Sequence, residues 1–210
     1  MGIRTSNPVR QAALVAAAAA MVIVSACGGE SSSAFVGHQI APAPQVGALS
    51  LTDTSTGTEE PLQAEPDDLL VAFLGFTNCP DACPLALSKV SGAFEELGDK
   101  ADRVDVAMVT VDPQRDTPEV LTEYVRQFVD DATGLRTEDE AELQAVSDAF
   151  GATYETTQDH EGMTAEVGHT DYTYVIDDTG SVVFTWTADM TVDDMVNDLE
   201  ILLDQLPDRT

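Results

Sequence analysis

LLVAFLGFTNCPDACPLALSKV, Leu69 to Val90, changes character at its middle. Leu69 to Phe76 is continuously apolar and of strand length, the pattern of a central strand buried on both faces. From Cys83 onward Leu87, Val90 and Phe94 recur at helical spacing, and Pro84 suits a first turn. A helix over Cys83 to Leu97 is therefore predicted. Between strand and helix sit Cys79 and Cys83, two of only three cysteines in 210 residues. Sites in α/β sheets are built where strands end and helices begin.

The same logic extends outward. Val104 to Val111 reads as a second buried strand. Thr117-Pro118 opens a helix, with Thr as cap, Pro at the first position, and a buried stripe of Leu121, Tyr124, Val125 and Phe128. Thr137 and Glu140 have capping-box spacing for a helix to about Phe150. Asp130 to Asp139 reads as an acidic insertion, a loop at the rim. Tyr172–Ile176 and Val182–Trp186 flank Asp177-Asp178-Thr179-Gly180, a hairpin signal. A last amphipathic helix carries Val192, Met195, Val196, Leu199, Leu202 and Leu206. Patches from Val46 to Leu62 suit a small hairpin. This order predicts an α/β mixed sheet flanked by helices on both faces. It is the order of a thioredoxin-like fold.

The first 26 residues stand apart. Arg4 and Arg10 precede an apolar run of 13 residues, Ala12 to Val24, followed by Ser25 and Ala26. That describes an export signal, and it is short for a membrane span of about 20 residues. Val24-Ser25-Ala26-Cys27 resembles the lipobox of bacterial lipoproteins, in which the cysteine becomes the lipidated first residue. The expected organisation is a signal over 1–26, lipidated Cys27 with a flexible linker over 27–45, and one domain over 46–207. The location is then the outer face of the cell membrane. With Cys27 carrying lipid, Cys79 and Cys83 are the remaining thiols, in an oxidising compartment.

Charge excludes one class of partner. Asp and Glu number 38 against nine Lys and Arg, a formal charge of −29. A nucleic-acid binder needs a basic footprint, which this chain lacks. The same charge argues against electrostatic docking on anionic lipid, so attachment is expected to rest on the lipid anchor.

Three readings of C-x-x-x-C stay open on the residues alone. A structural disulfide would close a very small loop and contribute modestly. A redox pair needs an exposed low-pKa sulfur and a resolving partner; a helix start favours a thiolate. A metal site is the third, since two thiolates suit Cu(I) and an added imidazole also accommodates Cu(II). Of the three histidines, His38 lies in the linker and His160 in a polar stretch. His169 directly precedes the strand from Tyr172 and is the best placed.

Thr77-Asn78-Cys79-Pro80-Asp81-Ala82-Cys83-Pro84, then Val109 to Pro118 (VTVDPQRDTP), then Gly168-His169 before Tyr174-Val175-Ile176-Asp177, resemble in that order the Sco (SCO1/SenC) family of copper-binding assembly factors. The resemblance runs from about Phe35 to the last helix. It implies a thioredoxin-like fold and copper held by Cys79, Cys83 and His169. It also implies a role in building the Cu(A) centre of cytochrome c oxidase subunit II, by copper delivery, by reduction of that subunit's cysteines, or both. An acidic residue of the middle segment, Asp112 or Asp116, is implicated near the site. The expected function is a membrane-anchored metallochaperone rather than an enzyme. A thiol-disulfide oxidoreductase using Cys79 and Cys83 is the alternative, ahead of a peroxidase or an inert acidic lipoprotein.

Overall fold

The computed structural model describes Gly2, residues 34–154 and residues 172–207. Among the described residues seven strands, β1 (Ser50–Asp53), β2 (Glu59–Pro61), β3 (Leu69–Gly75), β4 (Val104–Thr110), β5 (Thr133–Arg136), β6 (Thr173–Ile176) and β7 (Val182–Trp186), form one sheet in the order β2-β1-β5-β4-β3-β6-β7. The apolar run becomes β3 (Leu69–Gly75), buried along its whole length. It pairs in parallel with β4 (Val104–Thr110) and antiparallel with β6 (Thr173–Ile176). The period of two sends Leu69, Val71 and Phe73 to one face and Leu70, Ala72 and Leu74 to the other. The first face is covered by α1 (Ala82–Leu97), α2 (Pro118–Arg126) and α4 (Val192–Leu203). The second is covered by α3 (Glu140–Phe150) and by residues around the hairpin of β1 (Ser50–Asp53) and β2 (Glu59–Pro61). Each fully buried Leu, such as Leu87 or Leu121, contributes about 2 kcal/mol of burial.

Several local expectations hold. Thr117 caps α2 by accepting from the Val120 N–H, with Pro118 at the first position. β6 and β7 (Val182–Trp186) form the hairpin, its loop tied by the Asp177 carboxylate, which accepts from the N–H groups of Thr179 and Ser181. α4 opens on a capping box between Thr191 and Asp194.

Three expectations are corrected. The supposed acidic loop over Asp130 to Asp139 contains β5 (Thr133–Arg136), an interior strand between β1 and β4. Its Gly134 and Leu135 are buried, so long-range pairing overrides its polar flanks. The cap of α3 is Asp139, which accepts from the N–H groups of Ala141 and Glu142. Thr137 instead donates to Glu142 at 2.5 Å, since the helix starts two residues later than the Thr137–Glu140 spacing suggests. The linker ends earlier than residue 45. Phe35 packs its ring on Phe184, and His38 exchanges two backbone hydrogen bonds with Thr185 of β7. Buried Asp198 of α4 accepts from the N–H groups of Val36 and Gly37 and from the Trp186 indole. The proposed signal segment and Cys27 lie outside the described residues. No helix among the described residues is long and apolar enough to cross a membrane.

Candidate metal and thiol site

β3 delivers the chain to the site and α1 takes it away. After Gly75 the chain turns, the Cys79 N–H donating to the Phe76 carbonyl at 3.2 Å. α1 begins at Ala82, and its preceding Asp81 supplies no side-chain cap. The Cys79 sulfur takes that role, accepting from the Cys83 N–H at 3.3 Å. One of the unpaired donors at the helix start is thereby directed at sulfur. Asp81 is exposed, so its charge is solvated. The two thiols are not bonded to each other. Cys79 is half-buried and touches both core clusters at the end of the sheet; Cys83 is buried.

Gly75 is required by this packing. A Cβ there would meet the Cys83 sulfur at 2.8 Å. The absent side chain is the space into which the sulfur fits.

The segment after β4 lies beneath the cysteine loop and separates the two aspartates. Asp116 is fully buried. It accepts from the Thr77 N–H at 3.1 Å, the Thr77 hydroxyl at 2.5 Å and the Thr110 hydroxyl at 2.5 Å. It therefore fixes the loop two residues before Cys79. Asp112 pairs with Arg115 within its own turn. Arg136 of β5 clamps that turn from below, donating to the carbonyls of Pro113 and Asp116. The ends of β3, β4 and β5 thus hold one another. Thr77, Thr110, Gly75 and Arg136 were not singled out by sequence pattern. A Thr shortly before the cysteine motif was the one available signal.

An apolar groove opens beside Cys83, lined by Phe73, Ala86, Tyr172, Ala188 and Met195. Leu85 and Tyr172 stand exposed at its edge. Thr173 pairs with Phe73, so the chain joins β6 at the cysteine end of β3. His169 and His160 lie outside the described residues. His38 is exposed and bonded to β7. Among the described residues no set of three His, Cys, Asp or Glu side chains is arranged for a metal. The pair itself fits a soft ion: two thiols four residues apart, one of them reachable from solvent.

Sheet, helices and a dithiol at the central strand-to-helix junction define a thioredoxin-like protein with a C-x-x-x-C site. The SCO1/SenC family model matches residues 40–204, and the chain belongs to that family. A SCO2-like protein of Rickettsia prowazekii is 33% identical over 129 residues, 61% of this chain and 62% of that protein. The match thus spans less than two thirds of that relative. The apo Sco1 protein of Thermus thermophilus superposes with a TM-score of 0.71 at 31% identity, covering 82% of this chain and 99% of that one. The copper-bound ScoI of Bradyrhizobium japonicum gives 0.64 at 27% identity, covering 80% and 98%.

Proposed function

We propose that this chain is an exported, lipid-anchored copper carrier. It binds copper through Cys79, Cys83 and His169 and serves assembly of the Cu(A) centre of cytochrome c oxidase subunit II. The observation that carries this reading is the held dithiol. A fully buried carboxylate, Asp116, fixes the loop before Cys79, and a helix-start N–H points at the Cys79 sulfur. Family membership and the likeness to a copper-bound ScoI supply the metal. His169 enters this reading through the resemblance of Gly168-His169, shortly before Tyr174-Val175-Ile176-Asp177, to the family pattern. Tyr172, three residues further along the sequence, lines the groove with Cys83. Copper is cargo here, and two thiolates with one imidazole suit it in either oxidation state. Handover follows by exchange of these sulfurs for thiols of the recipient. Lipid on Cys27 keeps the domain at the outer membrane face.

The test is copper titration of the reduced full-length chain. Wild type is expected to bind one equivalent, Cys79→Ser/Cys83→Ser none, and His169→Ala with affinity lower by about tenfold or more. Equal binding by wild type and the double variant rejects the proposal.

A second reading, thiol-disulfide exchange with an envelope partner, is favoured by one feature. Cys79 is partly exposed and Cys83 lies buried behind it, the arrangement of an attacking and a resolving sulfur. Reductase activity that survives His169→Ala while copper binding falls would separate the two activities.

A further inference from the structure

Arg136 closes β5, opposite Thr52 of β1. Its guanidinium serves the turn after β4. Nε donates to the Asp116 carbonyl at 3.0 Å and to the Pro113 carbonyl at 3.3 Å, and Nη2 donates to the Pro113 carbonyl at 2.8 Å. Nη2 also meets the Glu138 carboxylate at 2.7 Å. The Arg136 side chain is 17% exposed and that of Glu138 77%, so the ion pair is solvated and the carbonyl bonds are the sheltered contacts. The turn has a use for these donors. Its Asp112 carbonyl accepts from the N–H groups of Arg115 and Asp116, and its Arg115 carbonyl from Thr117. The carbonyls of Pro113 and Asp116 take theirs from Arg136. A planar fork serves both from one side chain, which a point-charge ammonium does less well.

The residue held by its carbonyl also carries the buried carboxylate. Asp116 accepts from the Thr77 N–H and hydroxyl, and Thr77 stands two residues before Cys79. Hydrogen bonds therefore run unbroken from the β5 guanidinium, through the turn backbone and the Asp116 carboxylate, to the cysteine loop. We propose that Arg136 is a positioning residue for the metal site. By holding the turn from Pro113 to Asp116 it sets where the Asp116 carboxylate stands, and through Thr77 it sets the loop that presents Cys79. It touches no metal and acts only through Asp116.

The affinity half of this inference rests on the copper reading; the loop-holding half does not. The test is a double-variant cycle on the reduced full-length chain, with Cu(I) affinity read by competition against a colorimetric Cu(I) chelator. Arg136→Met is expected to weaken binding about fivefold. Arg136→Lys, which keeps the charge and loses the fork, should weaken it about threefold. Glu138→Gln, which breaks only the exposed ion pair, should stay within about 1.5-fold of wild type. With Asp116→Asn already present, Arg136→Met should change affinity less than about twofold, because the path runs through that carboxylate. In the metal-free chain, amide exchange at Thr77 should quicken about tenfold in Arg136→Met, with Val36 and Gly37 at the wild-type rate. If Arg136→Met does not fold, Arg136→Lys carries both measurements. Additive effects in the cycle, wild-type affinity in both Arg136 variants, or unchanged exchange at Thr77 overturns the inference. Equal quickening at Thr77, Val36 and Gly37 overturns it too, since Arg136 would then support only general stability. Wild type that binds no copper would sink the functional proposal instead, with exchange at Thr77 against Val36 and Gly37 still deciding this one.

Discussion

Asp112 and Asp116 carry the same side chain four residues apart and do different work. Asp112 closes its own turn with Arg115, while Asp116 reaches across to the cysteine loop through Thr77. Removing the Asp116 carboxylate leaves two hydroxyls and a backbone N–H without their acceptor. Each buried orphan costs about 1–3 kcal/mol, so Asp116→Ala should destabilise by about 3 kcal/mol or more. Asp116→Asn, which keeps one acceptor oxygen, should lose less. Denaturant unfolding measures both, and amide exchange at Thr77 should quicken in the same order. A loss under about 0.5 kcal/mol in Asp116→Ala would show that the loop does not depend on it. The cysteines were legible because two sulfurs four residues apart, at the junction of a strand and a helix, can act together on a metal or a disulfide. Asp116 was half legible: its segment stood out, but choosing it over Asp112 required knowing which carboxylate faces Thr77.

At the scale of elements, β3, β4, α1, α2 and the β6–β7 hairpin were readable because each carries its own periodicity or cap. β5 was not. Thr133–Arg136 holds one large apolar residue, Leu135, between acidic neighbours. Its strand character comes from β4 on one side and β1 on the other. The segment before Val46 was misjudged for a related reason. Its attachment is backbone to β7 and to one buried carboxylate on α4, partners roughly 160 residues away by separation. Asp198 therefore acts as a clasp between the start of the domain and its last helix. Asp198→Ala should cost about 2–4 kcal/mol, since two backbone donors and the indole of Trp186 lose their acceptor together. Trp186 is the sole tryptophan, so its fluorescence reports the change directly. Faster amide exchange at Val36 and Gly37, with the cysteine loop unaltered, would locate the loosening at the strap. Wild-type exchange at both positions would show that Asp198 does not hold it.

Across the whole molecule, charge is the dominant unbalanced quantity. Lys100, Arg103, Arg115 and Arg136 are already engaged with carboxylates, and Lys89 donates to the carbonyls of Ala188 and Met190. With 38 acidic residues against nine basic ones, most carboxylates have no cation to meet. They repel one another across the surface of the fold, and unfolding lets them separate. Salt should therefore stabilise this protein. The screening length falls from about 30 Å at 0.01 M salt to about 8 Å at 0.15 M, so most of the gain should arrive below about 0.2 M. Sodium chloride across that range is expected to raise the melting temperature by about 3 °C or more. The early saturation separates charge screening from general salting-out, which would keep climbing at molar salt. A melting temperature that stays flat, or falls, below 0.2 M would mean the surface carboxylates lie too far apart to matter. It would also mean that the acidity must be explained by what the surface meets, not by what it costs the fold.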